Sequence, residues 1–384
     1  MSTLYTNIGE LTTNDARLGD ASAMGRLYNA ALVEEGGRVA WVGRASDAPP
    51  ADQRVDCAGA AVLPGFVDSH THLVFAGDRV DEFVARMAGS PYDGGGIAST
   101  IAATRAASRE ELLRASLSRA GALLAGGVTT LEVKSGYDLT LDGEVRLLEL
   151  AGALTEETTF LGAHALAPEF DDRDEYVGFV AGAMTTACAP HARWADVFCD
   201  RGAFSVDEAR HVLSSARDAG LELRLHGGQL ANVGAVGLAV EMDCASVDHC
   251  THVSEHDLAA LAGSSTVATL LPGAEFSTRS AYPDARRFLD AGVTLALATD
   301  CNPGTSYVTS MGFVIALAVR EMGLSPDEAL YGATRGGAVA LRRDDIGHLG
   351  LGARADLIVL DAPRAAYLAY RPGSNLVRTT VRSS

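Results

Sequence analysis

The sequence is poor in cysteine and has no cysteine pair with the spacing of a redox or zinc motif. Only six cysteines occur among 384 residues, and no two of them form a C-x-x-C pair. Scattered cysteines in a chain of this length indicate reduced thiols rather than a disulfide framework. We therefore expect a cytoplasmic protein.

Long apolar runs and an excess of positive charge are also missing. No hydrophobic stretch approaches the length of a membrane span, and residues 1–20 lack the charged start and apolar stretch of a secretory signal. Lys and Arg number 31 against 49 Asp and Glu, which gives a formal net charge of −18 at pH 7. This charge repels nucleic acid and anionic membranes, so we expect neither as a partner.

Hydrophobic residues make up 47% of the chain, enough for one large domain and a smaller one. In the middle of the chain, short apolar segments typical of buried strands alternate with helical stretches. The eight strand candidates are residues 62–69, 129–134, 159–163, 195–199, 222–226, 245–248, 266–271 and 294–299. Eight such alternations predict an α/β fold, a (β/α)₈ TIM barrel.

The two ends of the chain have a different pattern, in which short strands are separated by turn residues. Strand candidates of this kind are residues 31–33, 37–43, 55–57 and 349–361. We expect both ends to form one small β-sandwich domain, residues 1–61 and 346–384, beside a barrel domain of residues 62–345.

Two helix starts carry the signature of a capping box. Ser205 is followed by Glu208, and Ser325 is followed by Pro326 and Glu328. The first of these helices is predicted to stop at Gly220.

Three of the strand candidates end in residues that commonly bind metals. His70 and His72 follow the first strand, His226 ends the fifth and Asp300 follows the eighth. Residues two apart on a strand face the same way, and the carboxyl ends of barrel strands meet at one mouth. Three neutral imidazoles and one carboxylate leave a position open for water on a divalent ion. The pattern predicts a hydrolytic metal site, for which zinc, iron and manganese are all suitable.

Several longer segments resemble the amidohydrolase superfamily and are closest to its imidazolonepropionase family. The similarity extends from about Asn29 to Asp361. The matching segments are Asp68–Arg79, Gly94–Ile97, Lys134–Tyr137, Leu161–His164 and Thr299–Gly304.

The resemblance implies a ligand set, a substrate and an assembly. One divalent ion, zinc or iron, would be held by His70, His72, His226 and Asp300. The reaction would be hydrolytic opening of the ring of 4-imidazolone-5-propanoate to N-formimidoyl-L-glutamate, in L-histidine degradation. The substrate pocket would be lined by Arg79, Tyr137, His164, Gln229, Asn302, Gly304 and Thr305. The resemblance also implies a homodimer, although no segment identifies an interface.

Catalytic roles follow from the chemistry of these side chains. His249, at the end of the sixth strand, can donate a hydrogen bond to the oxyanion. Asp300 can take the proton of the attacking water and pass it to the leaving nitrogen. Gln229 can hold a ring N–H or C=O, and the planar guanidinium of Arg79 matches the propanoate carboxylate. The sequence leaves open whether His249 or Asp300 is the general base.

Simpler interpretations stand beside these roles. Arg79 has acidic neighbours and could form a surface ion pair, Tyr137 could be a loop aromatic, and His164 could be a structural histidine. Lys134 occupies a strand end where some superfamily members carry a carboxylated lysine between two metals, but its single-metal context favours a structural role. No Lys-Ser or Lys-Thr follows Gly94–Gly96, so this segment is predicted to be a flexible loop rather than a phosphate site.

Two other functions compete with this interpretation. A deaminase of a purine- or pyrimidine-like ring would carry a proton-shuttling Glu three residues after the strand-five histidine, where this chain has Gln229. A non-catalytic scaffold on the same fold would lack several metal ligands, whereas all four positions are filled here.

Overall fold

The computed structural model describes residues 1–89 and 96–383. Gly94 and Gly95 of the glycine-rich segment lie outside these residues. The strands, in chain order, are β1 (Ser2–Thr12), β2 (Arg26–Glu35), β3 (Arg38–Arg44), β4 (Gln53–Asp56), β5 (Ala61–Pro64), β6 (Phe66–Asp68), β7 (Val128–Lys134), β8 (Glu157–Ala163), β9 (Trp194–Cys199), β10 (Glu222–Leu223), β11 (Leu225–Gly227), β12 (Ser246–His249), β13 (Val267–Leu270), β14 (Leu295–Leu297), β15 (Leu357–Leu360) and β16 (Val377–Val381).

The α-helices lie mainly between the strands of the middle region. In chain order they are α1 (Val80–Met87), α2 (Ile97–Ala106), α3 (Arg109–Ala125), α4 (Leu141–Gly152), α5 (Arg173–Phe179), α6 (Thr185–Cys188), α7 (Val206–Asp218), α8 (Ala235–Glu241), α9 (Glu255–Ala262), α10 (Pro272–Thr278), α11 (Ala285–Asp290), α12 (Met311–Glu321), α13 (Pro326–Tyr331), α14 (Gly337–Ala340) and α15 (Tyr367–Tyr370). Short 3₁₀ segments occur at Ala45–Asp47 and Ala189–His191, and π-helical turns at Val180–Met184 and Gly332–Gly336. None of the described helices is long and apolar enough to cross a membrane.

Strands from both chain ends form one mixed sheet. Its order is β16-β15-β5-β1-β2-β3, with β4 pairing on β1. The central strand β1 was missed in the sequence because its alternation is interrupted. The register shifts between Tyr5 and Ile8, and Asn7 between them has φ of +53°. A bulge of this kind breaks the period of two on which strand prediction depends.

The strands of the middle region form a barrel sheet, which confirms the predicted (β/α)₈ fold. The order is β14-β13-β12-β11-β9-β8-β7-β6, with β10 pairing on β9. The ends of its first and last strands meet: Thr71 forms a parallel bridge with Cys301, and the amide of Asp300 donates to the carbonyl of His70 at 3.1 Å. All seven residues of β7 and of β8 are buried, as expected for parallel strands covered on both faces.

The single strand predicted over residues 62–69 is wrong, because the chain divides there into β5 and β6. β5 belongs to the mixed sheet and β6 to the barrel sheet. The division falls at Gly65, whose amide donates to the carbonyl of Asp356 at 2.9 Å. A Cβ on Gly65 would overlap the side chain of Thr129, so only glycine fits at this change of sheet.

Both capping-box predictions are confirmed. The Ser205 side chain accepts from the amide of Glu208 and the Glu208 side chain reaches back to Ser205, at the start of α7. The same reciprocal pair joins Ser325 and Glu328 at the start of α13. Helix α7 ends at Asp218, and Gly220 follows with φ of +90°, the left-handed conformation expected after a helix end.

The chain divides into two compact units. One consists of Met1–Ser69, Ala122–Thr130 and Ser310–Ser384, and the other of His70–Gly121 and Leu131–Thr309. The domain boundaries at residues 61/62 and 345/346, and the sandwich form of the small domain, remain predictions.

One buried carboxyl group in the second unit carries an energetic cost. Glu275, in the first turn of α10, is 3% exposed. Its Oε1 accepts from the Thr251 hydroxyl at 2.6 Å, while Oε2 has no hydrogen-bond partner among the described residues. Burial raises the pKa of Glu275 to about 7, from the ordinary value of 4.5.

Replacing Glu275 with Gln should stabilise the protein at pH 8 and have little effect at pH 4.5 or below. Between pH 4.5 and about 7 the folded chain binds more protons at Glu275 than the unfolded chain, so the free energy of unfolding falls as the pH rises. Glu275→Gln removes this loss, and its gain over the parent at pH 8 should reach up to about 3 kcal/mol. Denaturant unfolding at both pH values measures the gain. The exposed control Glu321→Gln should change the free energy of unfolding equally at both pH values. The same result for Glu275→Gln would contradict the prediction.

Candidate active site

A cavity of about 280 Å³ opens at the carboxyl ends of the barrel strands. All the site residues predicted from the sequence line this cavity except two. His70 is fully buried, and Gly304 lies against the guanidinium of Arg79. The lining residues are His72, Arg79, Ile97, Tyr137, His164, Ala165, Leu166, Arg173, Phe198, Arg201, Gly202, Ala203, Phe204, His226, Gln229, Leu230, His249, Asp300, Asn302 and Thr305.

The four predicted metal ligands converge at the floor of this cavity. His72 Nε2 lies 3.3 Å from His70 Nε2 and 3.4 Å from His226 Nε2. Asp300 Oδ1 lies 3.5 Å from His70 Nε2 and 3.6 Å from His72 Nε2. Four atoms bound to zinc at about 2.0–2.1 Å in a tetrahedron would be about 3.3–3.4 Å apart. Four of the six distances among these donor atoms are therefore close to those expected around one zinc ion.

Carboxylates behind the imidazoles determine which ring nitrogens carry protons. Asp248 Oδ2 lies 2.7 Å from His70 Nδ1, and Asp196 Oδ2 lies 2.9 Å from His226 Nδ1. A carboxylate only accepts, so both rings donate from Nδ1 and direct an Nε2 lone pair into the ligand set. A proton on His72 Nε2 could satisfy only one of these two lone pairs. The arrangement is suited to a cation between the three nitrogens.

The charges connected to the ligands have the balance expected for a divalent ion. The connected charged groups, all at most 1% exposed, are the cations Lys134 and Arg224 and the carboxylates Glu132, Asp196, Asp248 and Asp300. Two cations and four carboxylates leave a net charge of −2 when the histidines are neutral and all four carboxyl groups, Asp300 included, are ionised. Buried charge requires compensation, and one divalent cation would neutralise this set. Burial lowers the pKa of His70 and His72 well below the ordinary value, in keeping with neutral imidazole ligands.

His249 lies beside the ligands and could serve as one or as a hydrogen-bond donor. Its ring centroid is 5.8 Å from that of His70 and 5.5 Å from that of His226, and its Nδ1 has no hydrogen-bond partner among the described residues. Burial lowers the pKa of His249 to about 3, so the neutral ring carries one N–H. His249, Cys250 and Asp300 have φ of +83°, +53° and +51°, a strained conformation that is common at active sites.

Arg79 both lines the cavity and forms an ion pair, so the two sequence interpretations of this residue are compatible. Its Nε and Nη2 donate to the two oxygens of Glu82 at 2.6 and 2.8 Å. Arg86 donates to the same carboxylate at 2.9 Å and to the Gly304 carbonyl at 2.8 Å. Arg79 and Arg86 thus share the carboxylate of Glu82, and Arg79 also lines the cavity.

Two glycines, Gly96 and Gly304, make room for the Arg79 side chain because they carry no Cβ. A Cβ on Gly304 would overlap Arg79 Nη1, and a Cβ on Gly96 would overlap Arg79 Nη2 and Glu82 Oε2. Arg79 is only 8% exposed. Gly304 therefore contributes to the pocket by admitting the guanidinium.

The Asn302–Thr305 turn supports Asp300. Asn302 Oδ1 accepts from the amides of Gly304 and Thr305, both at 2.8 Å, and its Nδ2 donates to the Asp300 carbonyl at 2.7 Å. The Thr305 hydroxyl lies 3.4 Å from Asp300 Oδ2. This turn fixes the carboxylate with Oδ1 toward the histidines. Burial raises the pKa of Asp300 well above its ordinary value.

Tyr137 and His164 form an aromatic wall next to the ligands. His164 stacks on His72 with centroids 5.3 Å apart, and Tyr137 lies 5.1 Å from His164. His164 Nδ1 is 2.9 Å from the Gly136 carbonyl, so Nδ1 donates and Nε2 remains an acceptor. His164 can therefore accept a hydrogen bond from a ligand N–H.

Gln229 begins a segment that is held by one carboxylate. Asp200 accepts from the amides of Gln229 at 2.7 Å, Leu230 at 3.0 Å and Ala231 at 3.0 Å. Asp200 is 4% exposed. Gln229 lines the cavity, and these hydrogen bonds fix its backbone.

The supporting residues Asp196, Asp200 and Asp248 were not identified from the sequence. Asp196 and Asp248 interrupt apolar strands that are otherwise buried, and Asp200 directly follows β9. A carboxylate inside a buried strand needs a partner, and this signal could have marked the first two. Their partners lie on other strands, so the pairing itself required the fold.

Close relatives of this chain share one name. Proteins named imidazolonepropionase are 61% identical in Salinispora arenicola, covering 100% of this chain and 98% of the relative, and 59% identical in Streptomyces coelicolor, covering 98% and 96%. A third, from Mycolicibacterium smegmatis, is 58% identical and covers 99% and 96%.

Solved structures share the fold at low sequence identity. N-isopropylammelide isopropylaminohydrolase from Burkholderia multivorans superposes with a TM-score of 0.72 at 23% identity, covering 100% of this chain and 97% of that one. An adenosine deaminase from Xanthomonas campestris with bound zinc has a TM-score of 0.70 at 18% identity, covering 99% and 91%.

The sequence model of the amidohydrolase family matches residues 61–383, most of the chain. With identities of 58–61% over nearly full length to the three relatives above, the chain belongs to the amidohydrolase family and, within it, to the imidazolonepropionases.

Proposed function

We propose that this protein hydrolyses the ring of 4-imidazolone-5-propanoate to N-formimidoyl-L-glutamate, a step of L-histidine degradation. The bond broken is the ring C–N bond next to the carbonyl. Water adds hydroxyl to the carbonyl carbon, and a proton passes to the leaving nitrogen. The name shared by the relatives supports this substrate.

The observation that carries the proposal is the convergence of three imidazoles and one carboxylate at the base of a cavity that Arg79 lines. The metal ligands would be His70, His72, His226 and Asp300, with one divalent ion, zinc or iron. A bound ion of this kind supplies a hydroxide equivalent near neutral pH and polarises the carbonyl under attack.

The remaining chemistry belongs to the side chains. Asp300 would receive the proton of the attacking water and deliver it to the leaving nitrogen. His249, neutral and with one N–H, would donate to the oxyanion. Gln229 and His164 would orient the ring, one through its amide and the other through the lone pair on Nε2.

The substrate carboxylate would bind at the Arg79 wall. Arg79 lines the cavity, and a guanidinium forms paired hydrogen bonds with a carboxylate. Tyr137, Asn302 and Thr305 would complete the pocket around the propanoate and the ring, and Gly304 would keep Arg79 in place.

A deaminase function is not favoured. The relatives at 58–61% identity are named for imidazolone propanoate hydrolysis, and Gln229 offers an amide in place of a proton-shuttling carboxylate. The homodimer, the cytoplasmic location and the absence of nucleic-acid binding remain predictions.

The purified protein should open the ring in a coupled assay. Urocanase generates imidazolone propanoate from urocanate, and addition of this protein should accelerate the loss of the ring absorbance. Removal of metal by a chelator should stop the reaction, and re-addition of Zn²⁺ or Fe²⁺ should restore it. A folded, metal-loaded sample without activity would overturn the substrate assignment.

Asp300→Asn should lower kcat by about 10²–10⁴-fold, because the amide cannot accept the water proton. The assay above measures kcat, and metal content measured in parallel separates loss of the proton acceptor from loss of a ligand. Asp290→Asn, at an exposed site on α11, is the control and should behave as the parent. Full activity of Asp300→Asn would remove this residue from the mechanism.

Arg79→Gln should raise KM more than it lowers kcat, since it removes a charge that binds the substrate tail. Loss of a charge-assisted hydrogen bond corresponds to a fall in kcat/KM of about 10–150-fold. Arg109→Gln breaks an exposed ion pair with Glu149 and serves as the control. An unchanged KM in Arg79→Gln would place the carboxylate elsewhere.

A further inference from the structure

Lys134, the only lysine of the chain, is completely buried at the carboxyl end of β7. Its Nζ donates to Glu132 Oε1 at 2.8 Å and to Asp196 Oδ2 at 2.9 Å. Both carboxylates are also buried. One ammonium group thus lies between two anions from different strands, β7 and β9.

Glu132 connects this ammonium to the His-x-His segment. Its second oxygen, Oε2, accepts from the amide of Thr71 at 3.0 Å, and its main-chain carbonyl accepts from the Thr71 hydroxyl at 2.6 Å. Thr71 lies between the ligands His70 and His72 in the chain. Glu132 therefore fixes the backbone from which both histidines extend.

Asp196 connects the same ammonium to His226. Its Oδ1 accepts from the His226 amide at 3.0 Å, and its Oδ2 accepts from His226 Nδ1 at 2.9 Å. The backbone and the ring of His226 are both held by one carboxylate. Lys134 is thus the shared partner of the two carboxylates that hold three of the four ligands.

Without the ammonium, two buried carboxylates would face each other with no cation between them. Like charges at this spacing repel strongly in a medium of low dielectric constant. The side chains would separate or admit water, and each would move the ligand segment attached to it. Partners of this kind typically change metal affinity by 10–100-fold when they are altered.

We propose that Lys134 is a positioning residue that sets the separation between the His70–His72 segment and His226, and so determines how tightly the metal binds. The inference rests on the proposed function only through its metal site. Lys134 is not among the residues that line the cavity, so it would act through Glu132 and Asp196.

The test is the Zn²⁺ dissociation constant of Lys134→Met, measured on chelator-treated protein by competition with a chromophoric chelator. Methionine has a similar length without the charge. We expect binding to weaken by about 10–100-fold relative to the parent, while circular dichroism shows a folded barrel. Equal affinity of Lys134→Met and the parent would overturn the inference and leave the proposed function intact. A parent that binds no Zn²⁺ would instead refute the metal site, and with it the premise.

Glu157→Gln is the matched control, because it disrupts a buried ion pair at the start of β8, in register with Glu132 on the neighbouring strand. Glu157 is 1% exposed, begins β8, and accepts from Arg193 Nη1 at 2.8 Å and from Trp194 Nε1 at 2.9 Å. The Glu157→Gln variant should be less stable than the parent and should bind Zn²⁺ with the same affinity. Equal weakening in Glu157→Gln and Lys134→Met would show a general effect of destabilisation and contradict the proposal.

A charge-matched double variant covers the case in which Lys134→Met does not fold. Lys134→Met with Glu132→Gln removes one positive and one negative charge, so the buried net charge is unchanged. Asp196 still loses its ammonium partner, and Zn²⁺ binding should remain weaker than in the parent by at least about 10-fold. Parent-like affinity in this folded double variant would overturn the proposal.

Discussion

The ligand set depends on paired charges inside the barrel. Asp248 and Asp196 orient the rings of His70 and His226, and each carboxylate has a buried cation, Arg224 or Lys134. Buried ions are costly unless they are compensated and hydrogen-bonded. The site therefore has a fixed geometry only while the whole set is balanced, and the net charge of −2 leaves a place for one divalent ion.

The cavity combines a rigid floor with a wall made by loops. The floor consists of residues at the ends of barrel strands, where the main-chain ladder limits movement, and it would carry the hydrolytic groups under the proposed function. The wall around Arg79 is built from the start of α1 and the Asn302–Thr305 turn, and under the proposed function it would bind the part of the substrate that does not react. One fold can carry many functions, because function depends on the residues placed at strand ends and in loops.

The strand-end pattern predicted which candidate ligands would come together because it depends on two local rules. Side chains two apart share a face, and parallel barrel strands end at one mouth, so His70, His72, His226 and Asp300 could be expected together before the fold was known. Asp196 and Asp248 were missed because their role depends on partners in other strands. β1 was missed for another reason: the bulge at Asn7 removes the alternation by which a strand is recognised.

Because Lys134 is the single lysine and is buried, the surface of the protein carries no lysine side chain. Every other basic side chain that is charged at neutral pH is an arginine, so the folded protein presents no lysine ε-amine to solvent. Reagents and modifying enzymes that require this group would find it only when the barrel interior opens. The rate at which Lys134 becomes acylated would thus report the opening of the active-site floor itself, from one residue and with no background from other lysines.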